Sequence, residues 1–313
     1  MLKNLSSHQG GVLLALFVTF LWATSWVLIK IGLREQVPAL TFAGLRYVLA
    51  FLCLLPLALR SGNRASLRAL SAGQWQRLAA LGLLFVAVTQ GAQFLALALL
   101  PAVTVSLLLS FSPVAVALLG VLLLSERPTV RQWAGVLLVL LGVLVYFYPV
   151  LIPAGQEVGL AVVAVGVLAN AGSAVLGRSV NGEGRLSPLL VTVVSMGVGS
   201  VALLLVGLAT QGVPTLSPLS WGIIAWLAVV NTALAFPLWN HTLRVLSAVE
   251  SSVINNTMLA QIAILAWLFL GEELTGQKLL GLGLAGVGTL IVQVSGVYRG
   301  VRGQGSGVRI QGW

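Results

Sequence analysis

Polar side chains are scarce in this chain, and those inside its long apolar runs are the ones placed to do chemistry. Trp22, Ser25 and Trp26 lie in the first run, with the two indoles one turn apart on one face. Gln90, Gln93 and Phe94 follow in a third run, and Ser106 and Ser110 in a fourth, where Pro113 continues the same face. Asn170 and Ser173 stand in a sixth run, and Asn231, Trp239 and Asn240 in an eighth. A ninth carries Ser252, Asn255, Asn256 and Gln261. An unsatisfied polar group in hydrocarbon is costly, so these groups are expected to face the interior of a bundle or a wet cavity. Some of them serve equally well as bonds between helices.

Amides, hydroxyls and indoles suit binding better than bond breaking. The chain has two histidines, His8 and His241, one cysteine, Cys53, and no aspartate. No metal-ligand spacing, nucleophile elbow or phosphate loop is present, so no catalytic residue, metal or cofactor is expected. An intramembrane enzyme is therefore the weaker reading. A passive channel would need a continuous polar stripe along one helix, and none is long enough. No carboxylate lies at mid-depth, which favours a neutral or zwitterionic solute over a lipophilic cation. The indole pair points to aromatic or other apolar amino acids.

Three ionisable residues stand apart. Arg46 lies about a third of the way into the second run, where it must pair, snorkel or line water, and is read as a gating or structural partner ahead of a direct ligand contact. His241 and Glu250, near the inner ends of the eighth and ninth runs, are candidate proton carriers.

The elements that must position these residues follow from composition. Apolar residues make up 58% of the chain and charged residues 8%, against about 25% charged in an average soluble domain. Ten runs are long enough to cross a bilayer as helix. They are placed near residues 11–33, 39–59, 77–98, 102–124, 130–148, 158–178, 188–209, 221–243, 247–270 and 276–295. The predicted class is an all-α membrane protein. With both termini cytoplasmic, thirteen Lys and Arg fall on inner segments and only Lys30, Arg34 and Lys278 on outer ones. The net charge of +10 is thus explained by topology and the lipid bilayer. No basic stripe with interleaved aromatics marks a nucleic-acid partner.

The second half repeats the first. Trp75 pairs with Trp221, Leu100 with Leu246, Glu126 with Glu272, Gly135 with Gly281 and Gly142 with Gly288, each at an offset of 146. Five helices per unit is an odd number, and the arginine-rich segment from Arg60 to Arg77 matches an uncharged one from Val206 to Ile223. Parity and charge together predict two inverted five-helix repeats. The organisation expected is a cytoplasmic N-terminus at 1–10, one repeat at 11–150, an inverted repeat at 157–296 and a disordered basic tail at 297–313. At the same offset Ser106 maps to Ser252, Ser110 to Asn256, Gln93 to Trp239 and Phe94 to Asn240. Gly91 maps to Pro237, a pair of helix weak points that marks a transporter site at mid-depth. Small faces on the fifth and tenth helices suit either moving contacts within a monomer or a homodimer interface.

Leu21-Trp22-Ala23-Thr24-Ser25, Phe42-Ala43-Gly44-Leu45-Arg46, the run from Asn231 to Leu243, and Leu270-Gly271-Glu272-Glu273 before Gly281 together resemble the drug/metabolite transporter superfamily, in its ten-helix branch with two EamA-type domains. The resemblance implies export of small metabolites, commonly amino acids or amphiphiles and sometimes drugs, across a bacterial cytoplasmic (inner) membrane. Members often carry proline in both fourth-position helices. This chain has Pro113 in one and Leu259 in the other, so a flexing point is expected in one half only. The reading is a secondary transporter of a small-molecule substrate working by alternating access, with drug or amphiphile efflux as the alternative.

Overall fold

The computed structural model describes residues 7–112, 114–116, 118–119, 129–149, 155–182, 187–242, 245–246 and 248–304. Among them regular structure is helical throughout and no strand occurs. In chain order the helices are α1 (Ser7–Arg34), α2 (Ala39–Ala58), a short α3 (Ser61–Arg68), α4 (Ala72–Gly82), α5 (Gly91–Leu99), α6 (Ala102–Leu109) and α7 (Val130–Tyr146). There follow α8 (Glu157–Gly182), α9 (Pro188–Gln211), α10 (Pro218–Ala228), α11 (Ala235–Thr242), α12 (Ala248–Leu270) and α13 (Gly276–Gln304).

Seven stretches are long and apolar enough to cross a membrane: His8–Arg34, Ala39–Ala58, Ala72–Leu99, Glu157–Gly177, Leu189–Gln211, Pro218–Trp239 and Val253–Leu270. Shorter apolar helices stand at the predicted fourth, fifth and tenth positions. The start signals recur with the repeat. Ser71 accepts from the Gln74 amide at 3.3 Å to open α4, and 146 residues later Ser217 accepts from the Ser220 amide at 3.1 Å to open α10. Thr129 and Thr275 open α7 and α13 in the same way.

Two of these long apolar stretches, Ala72–Leu99 and Pro218–Trp239, have a wider turn in the middle. A π-helical segment, Leu83–Gln90, joins α4 to α5, and another, Val229–Leu234, joins α10 to α11. In each a threonine hydroxyl donates to the carbonyl five residues back: Thr89 to Leu84 and Thr232 to Leu227, both at 2.9 Å. The wide turn leaves carbonyls to be satisfied by side chains, which is common at functional sites.

The two halves interlock. α2 packs antiparallel on α9, so close that a Cβ on Gly44 would meet the Leu204 backbone at 2.5 Å and one on Gly207 the Thr41 amide at 2.6 Å. α7 and α13 cross on a glycine seam in which Gly135 faces Gly288 and Gly142 faces Gly281. That seam consumes the small faces within one chain; Gly283 and Gly286 lie outside it. α1 runs beside α12, pinned at one end by His8 Nε2 to Glu250 Oε1 at 2.7 Å and at mid-length by Gln261 Nε2 to Thr19 Oγ1 at 3.3 Å. Near the other end of α1, Lys30 Nζ donates to the Leu100 carbonyl at 2.6 Å. There Glu272 from the second half accepts from the Ala102 and Val103 amides at 2.6 and 3.0 Å, closing the N-terminus of α6.

Some boundaries differ from those predicted. α3 occupies a segment expected to be loop, because its arginines read as loop charge; of its residues Leu67 packs against the core. α13 continues to Gln304, through residues expected to be disordered from 297, since neither proline nor a capping residue stops it. Residues 305–313 lie outside the described ones. The helix that begins as α6 turns at Ser110 and Phe111, one turn before Pro113, whereas α12 runs unbroken past Leu259. Pro113 itself lies outside the described residues.

Candidate functional site

The predicted polar residues divide into a group that meets between the halves and a group engaged elsewhere. Trp22, half-buried on α1, packs against two rings of α11. Its ring centre is 5.5 Å from Phe236 and 5.2 Å from Trp239, tilted by 56° and 50°. Offset tilted rings at such separations are favourable beyond the area they bury. Trp26, expected to share this cluster, sits instead in the apolar core and makes no ring contact among the described residues. One turn of helix turned its indole toward a different neighbour.

Asn231 anchors the cluster from the second π segment. It is fully buried, and its amide nitrogen donates to the Leu21 carbonyl, next to Trp22, and to Thr24 Oγ1 at 3.3 Å. Its neighbour Thr232 accepts from Arg46 Nε at 3.2 Å. Arg46 is buried, with its guanidinium carbon 5.1 Å from the Tyr47 ring centre and 5.9 Å from that of Phe94. Phe94 in turn meets Phe42 edge-on at 5.2 Å. Tyr47 completes the arrangement: its hydroxyl donates to Gln90 Oε1 at 2.7 Å, at the end of the first π segment. The adjacent pair Arg46 and Tyr47 on α2 thus ties the two π segments together.

The remaining residues take simpler positions. Ser25, Ser106, Ser110 and Ser173 each donate to a carbonyl three residues back, to Trp22, Val103, Leu107 and Asn170. Asn256 Nδ2 donates to the Gly286 carbonyl at 2.8 Å, and the Ser110 carbonyl accepts from Thr289 Oγ1 at 3.4 Å. Both of these repeat mates therefore attach to α13. Gln93, Asn170 and Asn255 are half-buried, and no side-chain hydrogen bond engages them among the described residues. Gly91 is buried immediately after the first π segment, and Pro237 is exposed on α11. His241 is exposed, while Glu250 pairs with His8. The side chains of Asn240 and Ser252 lie outside the described residues.

Residues 9–148 and 157–294 each match the EamA-like transporter family. The chain belongs to that family.

Related sequences agree. The chain is 29% identical over 240 residues to an uncharacterized transporter, YvbV, of Bacillus subtilis (strain 168), covering 75% of this chain and 72% of the relative. It is 31% identical over 301 residues to a probable amino-acid metabolite efflux pump of Salmonella typhimurium, covering 88% of this chain and 91% of the relative. A solved protein crystal structure superimposes with a TM-score of 0.64 at 16% identity, over 92% of this chain and 99% of its own, a likeness of fold. This EamA-like transporter is a multi-pass membrane protein that acts on a small molecule.

Tyr47, Phe236, Thr24 and Thr232 belong to the interior of this EamA-like transporter and are absent from the sequence-derived set. Tyr47 directly follows the intramembrane Arg46, and Phe236 stands three residues before Trp239 on the same helical face. Those two signals were available in the sequence. The threonines gave none, because a hydroxyl in an apolar helix most often returns to its own backbone.

Proposed function

We propose that this transporter exports small neutral or zwitterionic metabolites, and that its cargo is amino acids with aromatic or apolar side chains. The observation that carries the reading is the ring cluster of Trp22, Phe236 and Trp239, held where α1 of the first half meets α11 of the second, beside a buried polar set of Asn231, Thr232 and Arg46. The rings receive an apolar side chain, and the polar set receives backbone-like charged groups. The printed description of the Salmonella relative, an amino-acid metabolite efflux pump, supports the same class.

The membrane arrangement that goes with this reading has ten spans as two inverted five-helix repeats, both termini cytoplasmic, in a bacterial inner membrane. The composite spans Ala72–Leu99 and Pro218–Trp239 count as one each. The antiparallel packing of α2 on α9 and of α7 on α13 supports it, since helices related by the repeat meet each other across a shared axis. Exchange of the two halves' conformations then exposes a fixed central site to either side in turn.

Counterflow in proteoliposomes tests this. Vesicles loaded with unlabelled phenylalanine, leucine or tryptophan are expected to draw in the labelled amino acid, and Trp22→Ala that still elutes as a folded protein is expected to do so about tenfold more slowly, for a lost ring contact of roughly 1.4 kcal/mol. Absence of counterflow across amino acids, with counterflow of amphiphilic drugs, would transfer the assignment to drug efflux.

A further inference from the structure

Arg46 is only 5% exposed, yet its guanidinium is sparsely engaged. Nε donates to Thr232, and the plane lies near the Tyr47 and Phe94 rings; no carboxylate joins them among the described residues. Arginine carries five N–H donors in a planar fork that matches a carboxylate. The terminal nitrogens make no hydrogen bond in the described structure, and they are not among the fully enclosed atoms without a partner, which are Thr41 Oγ1, Asn231 Oδ1, Ser251 Oγ and Gln261 Oε1. They are therefore unpaired without being fully enclosed. The flanking residues Thr232 and Phe94 are fully buried, which sets the guanidinium among the interior side chains of the bundle.

A cation at this depth is costly unless something neutralises it. Ring faces compensate in part. Helices from both halves hold the group in place: Arg46 is bonded to the second π segment through Thr232, and its neighbour Tyr47 to the first through Gln90. One residue from Thr232, Asn231 bonds the backbone beside Trp22. A charged fork and an aromatic cluster are thus joined by one short stretch of chain.

We propose that Arg46 anchors the carboxylate of the transported solute through its terminal nitrogens. Building on the export reading above, this gives the site its selectivity: solutes with a single carboxylate are accepted, and the matching amides, amines and lipophilic cations are rejected.

Matched ligand pairs test the anchor. Thermal unfolding of the purified full chain in detergent is titrated with phenylalanine against phenylalaninamide, and with 3-phenylpropionate against 3-phenylpropionamide. The carboxylate of each pair is expected to bind about tenfold or more tightly than the amide, as for a charge-assisted hydrogen bond. Arg46→Gln is expected to bring the carboxylate down to the level of its amide while leaving the amide unchanged, and Arg46→Lys to lose most of the preference, since a point charge replaces the fork. Equal binding of both members by the unsubstituted protein, or binding of neither, overturns the anchor without need of any variant. A preference that survives in Arg46→Gln also overturns it. Counterflow separates the two readings: amino-acid counterflow undiminished in Arg46→Gln would keep export and remove the anchor. Carboxylate-selective binding without amino-acid counterflow would keep the anchor and remove amino acids as cargo.

Discussion

The two π segments begin 146 residues apart, at Leu83 and Val229, but they are used differently. The first is apolar apart from Thr89 and Gln90. It follows Gly82, whose missing Cβ lets the Ser195 carbonyl of α9 approach so closely that a Cβ would stand 2.1 Å from it. The second holds Asn231 and Thr232, both fully buried, and receives bonds from α2 and gives them to α1. The hydroxyls that satisfy the wide turns are not repeat mates either: Thr89 corresponds to Ala235, and Thr232 to Val86. The position of the wide turn has been kept through duplication, while the residue that satisfies it has changed. One copy of the turn packs against a neighbouring helix backbone, and the other carries buried cross-helix hydrogen bonds.

Substitutions at the two threonines break this comparison most sharply. Thr232→Val removes the bond to Leu227 and also the acceptor of the buried Arg46, and is expected to cost about 3 kcal/mol; Thr89→Val removes one local bond and is expected to cost about 1 kcal/mol. Equal losses for both in denaturant titrations of the purified protein would mean the segments are equivalent after all. Asn231→Leu comes next, at about 1 kcal/mol for two cross-helix bonds, with a faster hydrogen exchange of α1 near Leu21 as its signature. Unchanged exchange there would show that α1 is held by its rings alone.

The smallest effects lie just beyond the turns. Pro237→Ala supplies an amide that can reach the Ala233 carbonyl and draw the turn toward α-helical register, so counterflow is expected to slow a few-fold with stability altered by about 0.5 kcal/mol or less. In Gly91→Ala the added Cβ would lie 3.0 Å from Leu203 Cδ1 and 3.3 Å from Leu40 Cδ2, both ends of flexible side chains, and a cost of about 0.5 kcal/mol is expected. A larger transport defect from Gly91→Ala than from Pro237→Ala would place the flexing turn in the first half.

Much of this architecture could be read from the amino-acid order. The offset of 146 located paired weak points at Gly91 and Pro237, and the π segments lie one turn or less before them. The glycines of α7 and α13 announced a close crossing, but not which partner would fill it. Periodicity names the face a residue occupies, never the helix it meets. For that reason Trp22 and Trp26 were grouped together, although their neighbours differ. For the same reason the contact of Glu250 with His8, 242 residues away in the chain, has no signal in the amino-acid order. Ser110 and Asn256 stand at the repeat offset, yet their common attachment to α13 depends on tertiary packing alone.

The Glu272 carboxylate has a mechanical consequence. The first amides of α6 are satisfied by a residue that arrives from the other half, so the helix is finished only while the halves stand together at that end. Any movement that drew them apart there would strand two donors at the positive pole of a helix, so the contact would be lost as a discrete step in which both bonds break together.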